Sequence, residues 1–232
     1  MKMDTYSNMT EFDASSQTFN ASSGNGTEVE SLTARIARRV HALRTGQRMS
    51  LETLAARSGV SRSMISLIER NEASPTAVVL ERLATGLNVV LAALFEPQTS
   101  STQPEHGAEI SRRADQASWR DPHSGYLRRN VSPPSASTAG GLVPSTLQIV
   151  AVQFPAGARV AYETGAREPA VHQQVWVLEG TMQITVGEQT FQLDSGDCIA
   201  FTLDRPVAFF NPTGDITHYA VVLAPATPLP RR

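Results

Sequence analysis

Between residues 31 and 96, apolar side chains recur with the period of an amphipathic helix. The first apolar stripe consists of Leu32, Ile36, Val40 and Leu43. Further stripes, separated by residues that favour turns, predict a second helix after Ser50, a third from Ser61 to about Glu69, a fourth that begins at Ser74-Pro75, and a short fifth before Pro97. The pattern therefore predicts a compact N-terminal domain of five short helices.

After Gly141 the hydrophobic period changes from helical spacing to alternation. Short apolar runs are separated by Pro, Gly and Asp, and they read LQIVAVQF, VWVLEG, TMQITVG, TFQL, CIAF, VAFFNP and THYAVVLA. Short strands at regular spacing are typical of an antiparallel barrel or sandwich. We therefore predict a multidomain α + β protein, in which a five-helix N-terminal domain precedes a C-terminal antiparallel β-barrel.

Polar segments set the predicted domain boundaries. Residues 1–30 are rich in Ser, Thr, Asn and Gly without an apolar period, which predicts a disordered leader. After residue 30 we predict a helical domain at 31–96, a polar linker at 97–118, a β domain at 119–226 and a tail at 227–232. The segment from Trp119 to Ser137 is interpreted as contributing an early strand. Arg128 and Arg129 are either edge-strand charges, which we favour, or a partner contact.

Charge and composition narrow the class of protein. The whole chain has a net charge of −2, so any binding of nucleic acid must be local. Residues 31–72 contain eight arginines and three glutamates, a basic cluster of the kind that contacts phosphates. The single cysteine, Cys198, excludes a disulfide framework and a multi-thiolate zinc site, and it is expected to be buried and inert. Without a membrane span or a signal peptide, the sequence predicts a soluble cytoplasmic protein with no membrane partner.

The stretch from Leu51 to Arg70 has the residue types that a helix, a tight turn and a second helix require. Gly59 suits a turn position with positive φ, and Ser61 suits the N-cap of the second helix. Ile65 and Ile68 give this second helix one buried face. Its other face is polar, which is what a DNA-recognition helix requires.

By its run SLETLAARSGVSRSMISLIERNEASPT, the helical domain resembles the phage-repressor (lambda repressor/Cro-like, XRE-type) helix-turn-helix family. The resemblance implies that the helix from Ser61 enters the major groove, where Arg62 can contact a guanine or a phosphate. The chain departs from the family at Leu51, where a glutamine is common. The predicted DNA-binding residues are Ser50, Ser61, Arg62, Ser63, Ser66, Arg70 and Arg39.

The stretch HQQVWVLEGTMQITVGEQTFQLDSGDCIAF resembles the cupin family, in which VLEG closes one strand and SGD leads into the next. The resemblance implies a metal site of two histidines and a glutamate before the VLEG turn, with a further histidine after the GD turn. Here Gln173 occupies the glutamate position, residues 167–169 contain no histidine, and Val207 occupies the later histidine position. We therefore predict no metal, no other cofactor and no catalytic residue.

A barrel without a metal still has a concave mouth that suits a small ligand. If Gln173 and Val175 point inward, the pocket is mostly apolar, and His172 and Trp176 lie on a surface for strand packing or dimer contact. The alternation alone does not decide which face points inward. The predicted ligand-binding residues, drawn from both faces, are Tyr162, His172, Gln173, Val175, Trp176, Phe201 and Phe209.

Together the two domains resemble phage-repressor-type regulators with a C-terminal cupin sensor domain. We predict a sequence-specific, non-enzymatic transcriptional regulator that binds an operator in double-stranded DNA as a homodimer. Its metal-free cupin domain would bind a small-molecule effector, provide the dimer contact, or both. One alternative is a cupin-type metalloenzyme, an isomerase or dioxygenase, fused to a DNA-binding module. Another is a ligand-independent DNA-binding protein whose barrel serves only for dimerisation.

Overall fold

The computed structural model of the protein describes residues 32–95, 110–133, 147–163 and 170–225. The predicted leader, the predicted tail and most of the predicted linker lie outside these residues. None of the helices in the described ranges is long and apolar enough to cross a membrane.

Four α-helices and one 3₁₀ helix form the N-terminal domain. They are α1 (Leu32–Gly46), α2 (Leu51–Ser58), α3 (Arg62–Glu69), α4 (Ala77–Gly86) and the 3₁₀ helix Leu91–Phe95. The prediction of five helices is wrong in its last member, because this segment spans only five residues and takes the tighter 3₁₀ form. Helix α4 also begins later than predicted, because its N-cap is Thr76, whose side chain accepts a hydrogen bond from the amide of Val79 at 3.4 Å.

The β domain consists of antiparallel strands in two sheets. The strands are β1 (Ser118–Arg120), β2 (Leu127–Asn130), β3 (Gln148–Phe154), β4 (Arg159–Tyr162), β5 (Val171–Glu179), β6 (Thr181–Val186), β7 (Gln189–Asp194), β8 (Cys198–Thr202), β9 (Val207–Phe210) and β10 (Thr217–Pro225). One sheet has the order β1-β2-β3-β10-β5-β8, and the other has the order β4-β9-β6-β7.

The predicted closed barrel is wrong. The chain passes from the first sheet to the second at Gly180, between β5 and β6, and no ladder among the described residues joins the two sheets. The inner faces of both sheets instead bury alternate side chains, such as Val175 and Val177 of β5 and Met182 and Ile184 of β6. The C-terminal domain is therefore a two-sheet antiparallel structure.

Three further predictions about the β domain are wrong. The segment after Trp119 supplies two strands rather than one, and β2 lies between β1 and β3. Arg128 is consequently not an edge-strand charge: its side chain is buried, with 7% exposure. Cys198, predicted to be buried, begins the edge strand β8 and is exposed.

The two domains share one hydrophobic core. The ring of Phe95, in the 3₁₀ helix, lies 5.7 Å from the ring of Trp119 in β1. Polar contacts cross the same boundary, since the backbone amide of Ala77 donates to Oδ1 of Asp121 at 2.8 Å. The first residue of α4 is thus hydrogen-bonded to a carboxylate of the β domain.

Candidate nucleic-acid interface and interdomain cavity

Helix α2, the turn and helix α3 have the caps that the sequence predicts. Ser50 accepts a hydrogen bond from the amide of Thr53 at 3.1 Å, and Ser61 accepts one from the amide of Met64 at 3.3 Å. Gly59 has φ of +67°, and its amide donates to the carbonyl of Ala55 at 2.9 Å. These bonds fix the angle between α2 and α3.

The buried face of α3 anchors this helix on the rest of the domain. Ile65 and Ile68 are almost fully buried, as predicted. Helix α4 approaches α2 so closely that a Cβ atom built at Gly86 would lie 2.8 Å from Cβ of Ser58. The backbone of α3 is therefore supported by a tightly packed helical layer.

The opposite face of α3 carries most of the predicted DNA-binding side chains. Arg62, Ser63 and Arg70 are exposed, and Ser66 is half-buried. Nε of Arg62 lies 2.9 Å from Oε1 of Glu52, and both side chains are mostly exposed. A phosphate or a base can replace this carboxylate at little cost, because exposed ion pairs contribute little to stability.

A groove between α1 and α3 adds residues that the sequence did not indicate as DNA contacts. Its volume is about 430 Å³, and it is lined by Arg38, His41, Ala42, Ser66, Glu69 and Arg70. Ser66 and Arg70 belong to the predicted set, and Arg38 belongs to the basic cluster of residues 31–72, whereas His41 was in neither. The helical period of α1 could have indicated His41, since it lies off the buried stripe.

An ion pair between α1 and α3 forms the floor of this groove. Nε and Nη2 of Arg44 donate to the two carboxylate oxygens of Glu69 at 2.6 and 2.7 Å, and Nδ1 of His41 lies 2.9 Å from Oε2. Burial acts to raise the pKa of Glu69, but the hydrogen bonds from Arg44 and His41 outweigh it and lower that pKa. The same contact raises the pKa of Arg44.

Arg39 lies apart from the exposed face of α3. Its side chain is half-buried, and Nε donates to the carbonyl of Ala93 at 3.0 Å. Arg39 thus joins α1 to the 3₁₀ helix. A role in DNA binding remains a prediction for this residue.

A second candidate site is a cavity between the helical domain and the two sheets. Its volume is about 60 Å³. It is lined by Glu81, Val90, Leu91, Tyr126, Arg128, Val152, Tyr162, Gln173, Leu203, Val207, Phe209, Tyr219, Val221 and Leu223. Both domains therefore contribute to its wall.

Three tyrosines give this cavity polar positions: Tyr126 and Tyr219 are buried, and Tyr162 is half-buried. The hydroxyls of Tyr126 and Tyr162 lie 3.1 Å apart. Burial raises the pKa of Tyr126, Tyr162 and Tyr219, so all three hydroxyls keep their protons. The mutual bond between Tyr126 and Tyr162 uses one of their two protons, which leaves the second for a ligand.

The sequence profile of the helix-turn-helix family (HTH_3) matches residues 40–94, from α1 to the 3₁₀ helix. The N-terminal domain is a helix-turn-helix domain. Its resemblance to the phage-repressor type, which the sequence predicts, is thereby confirmed for this part of the chain.

The similarity to two other proteins extends beyond the helix-turn-helix domain. The HTH-type transcriptional regulator SutR of Escherichia coli (strain K12) is 27% identical over 195 residues, which are 82% of this chain and 95% of SutR. The crystal structure of an HTH_3 family transcriptional regulator from Vibrio cholerae is 24% identical and covers 84% of this chain and 98% of that one, with a TM-score of 0.65. The two-domain fold of this chain is therefore also found in that crystal structure.

The burial of alternate residues in β5 shows which face of this strand points inward. Gln173 and Val175 are buried, and Gln173 lines the cavity together with Tyr162 and Phe209. His172 and Trp176 lie on the outer face. Phe201 pairs with Gln173 and packs partly buried at the edge of the core.

The residues at the cupin metal positions do not fit a metal ion. Gln173 and Val207, which replace a glutamate and a histidine, both line the cavity and offer one neutral amide. His172 points to the outer face, and residues 167–169 lie outside the described ranges. The described residues contain no group of three or more His, Cys, Asp or Glu side chains that could hold a metal.

Arg128, Tyr126, Tyr219 and Glu81 are cavity residues that the sequence did not indicate. Arg128 was interpreted as a surface charge because the neighbours of β2 in the sheet could not be deduced. Tyr126 and Arg128 are two residues apart, so they share one face of a strand, and this alternation is the signal that could have indicated these two residues.

Proposed function

We propose that the protein is a cytoplasmic, sequence-specific transcriptional regulator that binds operator DNA as a homodimer and whose β domain binds a small effector. The observation that carries the proposal is the exposed polar and basic face of α3 on a firmly packed helix-turn-helix domain. The similarity to SutR, a transcriptional regulator, supports it over most of the chain. The regulator is proposed in preference to a metalloenzyme, because the cupin metal positions hold Gln173 and Val207.

DNA docking is proposed for the exposed face of α3, with Arg62 near the start of the helix contacting a base edge or a phosphate. The hydroxyls of Ser50 and Ser61 accept bonds from backbone amides and lie 3.1 and 3.2 Å from the hydroxyls of Thr53 and Ser63. When these neighbours donate, each serine has a proton for a phosphate. Ser63, Ser66 and Arg70 extend this contact along the helix and the adjoining groove.

Arg62→Ala is expected to lower affinity for a selected operator by about ten- to a hundredfold, because one charged contact to DNA is lost. Glu52→Gln is the matched variant: it frees Arg62 from its carboxylate partner and is expected to raise operator affinity. Arg39→Ala is expected to weaken operator and random DNA equally. Fluorescence anisotropy with labelled duplexes at several salt concentrations measures the affinity of all three variants. If Arg62→Ala bound the operator as tightly as the parent, the proposed docking of α3 on DNA would be refuted.

The outer face of β5 is proposed as the dimer contact between two copies of the chain. Trp176 is 51% exposed and Leu178 is 45% exposed. Trp176 lies opposite Cys198 of the edge strand β8 and Ala220 of β10, so small side chains flank the indole. A second copy is the proposed occupant because one recognition helix covers only a half-site, and two-fold symmetry would pair two such helices.

Trp176→Glu is expected to convert the dimer into a monomer, because a charge would be buried at the centre of the contact. Light scattering after size-exclusion chromatography measures the mass of the species. Phe191→Glu, on a comparably exposed aromatic of β7, is the control and is expected to leave the mass unchanged. A parental mass for Trp176→Glu would place the dimer contact elsewhere.

A further inference from the structure

Arg128 is a buried cation with open hydrogen-bond donors. Its side chain is 7% exposed and lines the interdomain cavity. Within the described part of the chain, Nε and Nη2 have no hydrogen-bond partner. Buried N–H groups without acceptors are costly, so these two nitrogens need a compensating contact.

The two open nitrogens define the shape of the missing partner. Nε and Nη2 lie on one edge of the guanidinium, where their N–H groups can donate side by side to two oxygens of a carboxylate. Arg44 uses the same edge in this protein, with Nε and Nη2 donating to the two oxygens of Glu69. Arg128 has the same pair of donors without the carboxylate.

Among the other polar groups of the cavity, the tyrosine hydroxyls favour an acid at this position, whereas Glu81 is itself a carboxylate and disfavours a second one close to it. Glu81 lines the wall from α4 and has interactions of its own within the protein. Tyr126 and Tyr162 can supply one further hydroxyl proton. The rest of the wall is largely apolar, with valines and leucines from both domains.

The volume of the cavity limits the size of the ligand. One water needs about 10–15 Å³ on this measure, so a cavity of about 60 Å³ has room for about four to six waters, or for an acid of similar size. We propose that the interdomain cavity binds a small carboxylate, with the Nε–Nη2 edge of Arg128 on the carboxylate and the apolar wall around its carbon chain. This inference rests on the proposed effector function and names the chemical class of the effector.

The position of Arg128 also connects the ligand to the helix-turn-helix domain. The guanidinium carbon of Arg128 lies 5.1 Å from the centre of the Phe95 ring, at the end of the 3₁₀ helix. A carboxylate that orients the guanidinium therefore acts on a side chain of the DNA-binding domain. Coupling follows if the carboxylate binds more tightly to one arrangement of the two domains than to another.

The test uses the full parental chain for melting temperature and operator affinity, and the full chain with Trp176→Phe, which leaves Trp119 as the single tryptophan, for fluorescence. The Trp119 ring lies 5.9 Å from that of Tyr126, a cavity residue, so its fluorescence is a local reporter. Butyrate is titrated to about 50 mM, which suffices for a millimolar Kd. Butyramide, with the same number of heavy atoms and no charge, is titrated at matched ionic strength.

Butyrate is expected to change the fluorescence saturably and to raise the melting temperature, and butyramide is expected to bind at least about tenfold more weakly. Arg128→Met is expected to abolish the response to butyrate. Arg128→Lys keeps the charge and serves if the methionine variant does not fold; it is expected to weaken binding about tenfold, because lysine lacks the planar fork.

Three results would overturn the inference: no response to butyrate, equal responses to butyrate and butyramide, or parental butyrate binding in Arg128→Lys. Operator affinity with and without butyrate separates this inference from the proposed function. Binding of butyrate without any change in operator affinity would keep the carboxylate site and refute its role as an effector site. Loss of the carboxylate site would leave DNA binding by α3 intact.

Discussion

Glu69→Gln is expected to lower the free energy of unfolding by about 3 kcal/mol, because it leaves Arg44 largely buried without its carboxylate. The Arg44 side chain is 12% exposed and that of Glu69 is 7% exposed, so water cannot replace the lost partner fully. Glutamine keeps the volume and one acceptor oxygen, so the change isolates the charge. Urea unfolding followed by circular dichroism measures the difference.

Glu72→Gln is the matched control, because it breaks an exposed ion pair with Arg70 near the end of α3. It is expected to change the free energy of unfolding by less than about 0.5 kcal/mol. Equal effects of the two substitutions would show that burial of the Arg44–Glu69 pair is not what stabilises the domain. A double replacement of Arg44 and Glu69 by leucine is expected to recover much of the loss.

The contribution of Glu69 also depends on pH. Its pKa in the folded protein is lower than in the unfolded chain, because the hydrogen bonds from Arg44 and His41 outweigh burial. The stabilisation is therefore present above the ordinary glutamate pKa of about 4.3 and is lost as the pH falls through the lowered value. The difference between the parent and Glu69→Gln is expected to shrink over that acidic range, and a constant difference would contradict the linkage.

Asp121→Ala is expected to cost about 3 kcal/mol and to loosen the contact between the two domains. Asp121 is 2% exposed; Oδ1 accepts from the amide of Ala77, and Oδ2 accepts from the amide and hydroxyl of Ser124. Alanine leaves these donors without their acceptor, and it also removes a negative charge from the N-terminus of α4. Protection of the Ala77 amide against hydrogen exchange is expected to fall by about a hundredfold.

Asp115→Ala removes an exposed carboxylate from the same part of the chain. It is expected to leave the free energy of unfolding and the protection of the Ala77 amide unchanged. Asp121→Asn keeps an oxygen that can accept from Ala77. Its free energy of unfolding and its Ala77 protection are expected to lie between those of the parent and of the alanine variant. Unchanged protection of Ala77 in Asp121→Ala would mean that the helical domain holds α4 without help from the β domain.

The helix-turn-helix part of the fold could be predicted because its determinants are local. Ser50, Gly59 and Ser61 act within a few residues of themselves, as caps and as a turn, and the helical period gives Ile65 and Ile68. Ser74 and Thr76 are both residue types that suit the N-cap of α4. The prediction chose Ser74, whereas the N-cap is Thr76.

The β domain was predicted less completely because its determinants are not local. Alternation located most strands but not their order, so the burial of Arg128 between β1 and β3 could not be deduced. The direction of Gln173 was left open for the same reason. The bond from Ala77 to Asp121 joins residues 44 positions apart, and nothing in either local sequence indicates the other.

The contact between Phe95 and Trp119 has a thermodynamic consequence. Rings from Phe95 to Tyr219 follow one another at 5.7 to 6.0 Å from the 3₁₀ helix into the β domain. We therefore expect the two domains to unfold as one cooperative unit. A ligand that binds only the folded β domain then stabilises the DNA-binding domain by the same mass action, RT ln(1 + [L]/Kd). The amount of folded protein would itself rise with the concentration of such a ligand.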